Sequence, residues 1–204
     1  MAGELAKLKV GRGQKDAAAL LTTARLRLRH FRPEDRAPFA ALNADREVMA
    51  HLPALMSSEE SDALVDRIEA GFSKHGFGLW AVEVIGSGEF IGFTGLSIPG
   101  FEAPFTPAVE VGWRLALSAW GHGYATEAAR AALDFGFGER GLPEVVSFTS
   151  PGNERSVAVM RRLGMTRDPK DDFEHPRLPP GSRLSHHVLY RMTRRRWLDR
   201  KVAG

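Results

Sequence analysis

The 204-residue sequence contains no cysteine. That absence excludes a disulfide scaffold, a thiolate zinc site, an iron–sulfur cluster and any mechanism built on a cysteine nucleophile. Long apolar runs are lacking as well, and no stretch approaches the roughly 18 consecutive apolar residues of a membrane span. The opening segment MAGELAKLKVGRGQKDAAALL is basic but has no apolar h-region ahead of a small-residue cleavage site, which points away from export and toward the cytoplasm. His175, His186 and His187 fit no zinc spacing and lack acidic partners arranged around them, so no metal is expected. Net charge is small overall, +3 from 28 Lys and Arg against 25 Asp and Glu. It is uneven, however: residues 183 to 201 hold seven Lys and Arg against Asp199, while elsewhere 21 basic residues face 24 acidic ones. This basic end suits either a phosphate-rich partner or a solvated chain end. Trp197 is its one interleaved aromatic and no nucleic-acid motif surrounds it, so nucleic acid is not the expected partner.

What is present is ordinary globular material, 43% hydrophobic and 26% charged, enough for one domain with a substantial core. Residues 1 to 20 lack periodicity and read as a flexible leader, residues 21 to 197 as the domain, and residues 198 to 204 as a basic tail. Arg25-Leu26-Arg27-Leu28-Arg29 alternates as a strand with one buried face, and Pro33-Glu34-Asp35 opens a helix whose stripe runs through Phe39, Leu42, Val48 and Met49. Ser57-Ser58-Glu59-Glu60 is a capping signal for a second helix carrying Leu64, Val65, Ile68 and Phe72. GLWAVEVI and EFIGFTGLSI, joined by Gly86-Ser87-Gly88, read as an antiparallel hairpin. A further strand over 108–117 places Val109, Val111, Trp113 and Leu115 on one face and Glu110, Gly112 and Arg114 on the other. An Ala-rich helix over 125–137, a strand over 144–149, a helix over 154–163 and strands near Phe173 and over 184–192 complete an α/β (α+β) order with a mixed sheet.

Two segments carry chemistry. Strand 108–117 runs through Trp120-Gly121-His122-Gly123-Tyr124-Ala125-Thr126-Glu127 into a helix, an anion cradle in which glycines permit close backbone approach and first-turn N–H groups point at one spot; a diphosphate is its natural guest. Thr126 stands where a dinucleotide fingerprint needs its third glycine, and the Lys-Ser/Thr ending of a P-loop is missing. One strand later comes Asn153-Glu154-Arg155-Ser156 on a helix that ends in Leu163-Gly164-Met165.

LTTARLRLR followed by PED, then VEVGWRL, WGHGYATEA and the N-x-x-S helix ending in LGM, occur in an order and spacing that resembles the GNAT superfamily of acetyl-CoA-dependent N-acetyltransferases, over about residues 21 to 197. The likeness is to its RimJ/RimL-like branch, the ribosomal-protein-alanine acetyltransferases. Trp120 occupies the first place of the family's phosphate-loop pattern, normally Gln or Arg, while Gly123 and Ala125 match its small positions.

The resemblance implies a single domain with a mostly antiparallel sheet, flanked by helices and splayed between strands 108–117 and 144–149. Acetyl-CoA would be the acyl donor, its pantetheine arm bonded to backbone near Trp113, Arg114 and Leu115 and its diphosphate on the amides of Gly121, His122, Gly123, Tyr124, Ala125 and Thr126. Asn153 would bond the cofactor arm, and Arg162 either a phosphate or solvent. The implied partner is an amine acceptor, a protein N-terminus or a small molecule, with a homodimer left open and no membrane. Glu110 is either the general base for the attacking amine or a structural partner of Arg114; Ser156 either protonates the departing thiolate or is a helix-surface hydroxyl. Trp80, Phe101 and Phe105 are candidate walls of the acceptor pocket, and the segments 99–107 and 168–180 its candidate determinants. Without cysteine to hold an acyl group, direct transfer in a ternary complex is expected. Two other classes remain open, a catalytically silent acyl-CoA-binding module and a nucleic-acid binder using the basic end.

Overall fold

A computed structural model describes residues 20–202, so the expected leader lies outside the described residues except for Leu20. The chain runs β1 (Leu21–Thr22), β2 (Leu26–Arg29), α1 (Arg36–Ala44), α2 (Ser58–His75), β3 (Leu79–Val84), β4 (Phe90–Ser97), β5 (Glu110–Leu115), α3 (Tyr124–Gly138), β6 (Glu144–Thr149), α4 (Glu154–Leu163), β7 (Thr166–Arg167), β8 (Phe173–Glu174), β9 (His186–Thr193) and α5 (Arg194–Val202). The strands form one sheet in the order β1-β2-β3-β4-β5-β6-β9-β7, with β8 paired to β9. Every neighbouring pair is antiparallel except β5 with β6.

Local chemistry sets most boundaries. The Ser57 hydroxyl accepts the Glu60 N–H at 3.2 Å while the Glu60 carboxylate accepts the Ser57 N–H at 2.8 Å, a reciprocal capping box that starts α2. Gly76 (φ 71°) ends it in the left-handed conformation. α1 stops at Ala44, short of the expected Val48 and Met49, because Asp45 is extended and its Oδ1 accepts the N–H groups of Glu47 and Val48. That Asx turn begins the α1–α2 loop.

The register assigns the faces. Phe93, paired with Arg114, packs against Phe39 of α1, so Phe93, Arg114, Ser97 and Glu110 share the α1 face of β4 and β5. Leu96, paired with Val111, would be the first neighbour of a Cβ on Gly136, so Leu96, Val111 and Leu115 share the α3 face. The core built there includes Leu26, Leu28, Trp80, Val111, Ala128, Ala132, Leu133 and Phe135. At its edge the alternating arginines of β2 are not simply solvated. Arg29 bonds Asp35 at 2.6 Å and Glu83 at 2.7 Å, all three nearly inaccessible, and Arg27 joins Glu83 at 2.5 Å.

The basic end differs from the expected tail. Arg194–Val202 is a helix whose Trp197 is buried against Phe137 and donates Nε1–H to Asp134 at 2.9 Å, so residue 198 falls in mid-helix. Arg191 pairs with Glu144 and Asp171, and Arg196 donates to the Gly164 carbonyl. Several of the terminal cations therefore serve the fold. Among the described residues no helix is long and apolar enough to cross a membrane, and no group of three or more His, Cys, Asp or Glu side chains is placed to hold a metal ion.

Candidate active site

β5 and β6 touch at one point. Glu110 pairs with Val146, the Val146 N–H donates to the Val109 carbonyl at 2.8 Å, and toward the C-terminal end of β5 no further pairing joins the two strands. Ala116 N–H donates to Ile91, which fixes the even-numbered peptide groups of β5 toward β4 and turns those of Val111, Trp113 and Leu115 toward the gap. The Leu115 carbonyl is taken by Trp120 Nε1–H at 2.9 Å. The Trp113 peptide thus faces the opening, whereas Arg114, paired with Phe93, presents no main chain to it. This corrects the expectation for Arg114: its side chain, not its backbone, enters the site. The gap widens into a cleft of about 1890 Å³ bounded by β5, α3, α4 and the α1–α2 loop.

The wide end is an anion cradle. Gly121 (φ 81°) and Gly123 (φ 80°) adopt the left-handed conformation, and a Cβ on Gly121 would meet nothing within 4 Å. Gly123 caps α3 without any side-chain hydrogen bond, so the amides of Tyr124, Ala125 and Thr126 lack helical partners and face the cleft mouth. Arg25 holds this loop in place. It donates Nε–H to Glu127 at 2.7 Å and Nη1–H to the His122 carbonyl at 3.0 Å, and lies 4.8 Å from the Tyr124 ring. Thr23 and the Arg25 N–H also bond Glu127, keeping its carboxyl below the usual range although burial opposes this. His122 is exposed and stacks on Tyr124. Arg130, Arg155 and Arg162 are exposed at the rim, with Arg155 4.4 Å from the Trp120 ring.

At the narrow end, two groups flank the gap from opposite faces. Glu110 projects on the α1 face into space that Gly112 leaves open, since a Cβ there would lie 3.7 Å from Glu110 Oε1. Burial pushes its carboxyl up to about 7, opposed only by a long 3.5 Å bond from Ser97 Oγ. No ion pair joins it to Arg114, so the structural alternative for Glu110 is not realised. On the α3 face, Ser156 Oγ accepts Trp113 Nε1–H at 3.3 Å and keeps its own hydrogen to give. Asn153 caps α4, accepting the Ser156 N–H at 3.2 Å and donating to Thr149 Oγ1 at 3.0 Å; its second amide hydrogen is uncommitted. His51, from the α1–α2 loop, lies 3.3 Å from Ser150 Oγ, and burial together with the Arg183 charge lowers its pKa.

Three expected pocket walls are elsewhere. Trp80 is wholly buried between Phe72 and Phe135 in the main core. Phe101 and Phe105 pack with Phe148 and Phe173 in a separate aromatic cluster, of which only Phe148 reaches the cleft. The lining contributed by the α1–α2 loop is Glu47, Val48, Ala50, His51 and Leu52, and none comes from residues 99–107 or 168–180. Arg25 was not foreseen either, because its role depends on Glu127, 102 residues away.

Residues 25–166 match the family described as "Acetyltransferase (GNAT) domain". The chain is 34% identical to the FsC-acetyl coenzyme A-N(2)-transacetylase of Aspergillus fumigatus over 189 residues, covering 89% of this chain and 79% of that protein. It is also 34% identical to the Bacillus subtilis protein YkkB over 151 residues, 74% of this chain and 87% of that one. Among solved structures, an acetyltransferase from Agrobacterium tumefaciens superposes with a TM-score of 0.70 at 28% identity, covering 89% of this chain and 99% of the other.

Proposed function

The chain belongs to the GNAT acetyltransferase family, and from that premise we propose that it moves the acetyl group of acetyl-CoA onto a primary amine by direct attack within a ternary complex. The observation that carries this reading is the placement of a carboxylate of raised pKa, Glu110, and a hydroxyl, Ser156, on opposite faces of one strand gap. The open space over Gly121, the uncapped start of α3 and the rim of Arg130, Arg155 and Arg162 suit the phosphates of CoA. The gap-facing carbonyl of Trp113 and the free amide hydrogen of Asn153 suit its pantetheine arm.

An alkyl ammonium, near pKa 10.4, must lose a proton before it can attack. Glu110, raised to about 7, takes that proton, directly or through one water. The nitrogen then bonds the thioester carbon, and the Trp113 N–H is the donor placed for the developing oxyanion. When the C–S bond breaks, Ser156 supplies a hydrogen bond or proton to the leaving sulfur, with Trp113 Nε1–H supporting its oxygen. The nitrogen sheds its second proton as the amide forms, so ammonium and acetyl-CoA give N-acetyl product, CoA thiol and one proton. The segments shared with the ribosomal-protein-alanine (RimJ/RimL-like) acetyltransferases support a place near that branch. A silent acyl-CoA-binding module would need neither Glu110 nor Ser156 beside the gap. Release of CoA thiol during an amine screen tests the proposal; acetyl-CoA binding without turnover on any amine would favour the silent module.

A further inference from the structure

Arg114 lines the acceptor side of the cleft as a half-buried guanidinium without a carboxylate beside it. Its neighbours are neutral. Nη1–H donates to Asn43 Oδ1 at 2.6 Å, Met56 Sδ lies 3.7 Å away, and the Phe93 ring centroid is 5.4 Å from the guanidinium carbon. Asn43 is wholly buried and donates its own amide to Ser61 Oγ at 2.9 Å, which fixes the oxygen it offers. Arg29 shows the contrast, since that buried arginine meets both Asp35 and Glu83. Nothing in the described residues performs this service for Arg114: Glu47 also lines the cleft but is exposed and makes no ion pair with it. Asp45 in the α1–α2 loop is occupied with the Glu47 and Val48 N–H groups, and Arg183, which donates to the Ala50 carbonyl, has the same sign as Arg114. Burial without a counter-charge lowers Arg114 to about 10, still cationic at neutral pH. Only Nη1 of its fork has bonds within the protein; the remaining N–H groups are not enclosed and the residue faces the cleft. Arg114 shares a face with Glu110 and stands four residues along the same strand, a separation of about 13 Å.

We propose that Arg114 is an acceptor-binding residue and that the acceptor is an amine that also carries a carboxylate, which pairs with Arg114 while the amine reaches Glu110. A planar carboxylate accepts two N–H bonds from the open side of the fork. One cation balances a monoanion, whereas a phosphate dianion would bring surplus charge into the same desolvated pocket. A polyamine would place a second cation against an unscreened guanidinium. The amine half of this inference rests on the acetyl-transfer reading above; the carboxylate half rests on Arg114 and its surroundings.

The test uses the full chain and a series of probes: glycine, β-alanine, 4-aminobutanoate and 6-aminohexanoate, the carboxamide of each, and putrescine. Calorimetry with CoA-saturated protein measures binding, and CoA-thiol release from acetyl-CoA measures kcat/KM. At least one carboxylate is expected to bind and react tenfold or more better than its carboxamide. Arg114→Gln should bring that ratio close to one while the Kd for acetyl-CoA moves less than threefold. Arg114→Lys, which keeps the charge but loses the fork, should retain part of the preference and serves if the Gln variant does not fold. The inference is overturned if no carboxylate binds, if carboxamides or putrescine do as well in the wild-type chain, or if the preference survives Arg114→Gln. Failure of the acetyl-transfer reading would look different: no heat with acetyl-CoA while carboxylate binding to the free chain persists.

Discussion

Glu110→Gln separates catalysis from stability, because the burial that raises the carboxyl acts on both. With a folded-state value of about 7, the ionised fraction rises from roughly one tenth at pH 6 to nine tenths at pH 8, so base catalysis should increase about ninefold across that window. The amine's own titration contributes to the same limb, so the informative quantity is the ratio of wild-type to variant kcat at each pH. That ratio should grow about ninefold from pH 6 to pH 8 and reach a hundredfold to ten-thousandfold, roughly the range for a lost general base. Stability should move the other way. A carboxyl whose pKa is raised on folding contributes stability that is intact below about 4.5 and lost as pH climbs through 7. The upper bound from 4.5 to about 7 is about 3 kcal/mol at pH 8, and Gln, which cannot ionise, escapes it. Urea melts should therefore show the variant gaining on wild type between pH 5 and pH 8. Equal rates in the two proteins, or a rate ratio flat with pH, would refute Glu110 as the base.

Ser156→Ala should lower kcat about tenfold to a hundredfold, on the scale of a lost hydrogen bond to charge, with little change in acetyl-CoA Kd; an unchanged kcat would remove Ser156 from the leaving-group role. Glu83→Ala removes the charge-assisted bond to Arg29 while Asp35 still neutralises that guanidinium, and should cost about 1.5–3 kcal/mol in urea denaturation, whereas a loss below about 1 kcal/mol would mean the cluster is effectively solvated. Trp197→Ala should cost about 3–5 kcal/mol because the ring is buried against Phe137, and a melt indistinguishable from wild type would mean α5 is a dispensable appendage.

Much of the frame was legible because short-range chemistry wrote it. Ser57 with Glu60 marks the start of α2, Gly86-Ser87-Gly88 joins β3 to β4, and Gly164 closes α4 at φ 79°. The features that were not legible depend on partners far along the chain. Val48 and Met49 continue a helical stripe in sequence, yet Asp45 draws the backbone out of the helix through its own side chain. α5 was hidden by its arginines, which mask the buried anchor at Trp197. Strand alternation put Glu110 and Arg114 together, but which face would carry α1 emerged only from Phe93 against Phe39. Trp80 has the composition of a pocket wall; its burial follows from Phe72 and Phe135 closing on it from α2 and α3.

The central claim is that the β5–β6 gap and the α3 N-terminus form one acetyl-CoA site. Calorimetric titration of acetyl-CoA into the chain and into Gly123→Asp tests it most directly, since the substitution sets a carboxylate and an unfavourable φ at the proposed phosphate cradle. Micromolar or tighter binding to the wild-type chain, weakened at least tenfold in the variant, is the predicted result. No binding to the wild-type chain, or equal binding to both, would contradict the account.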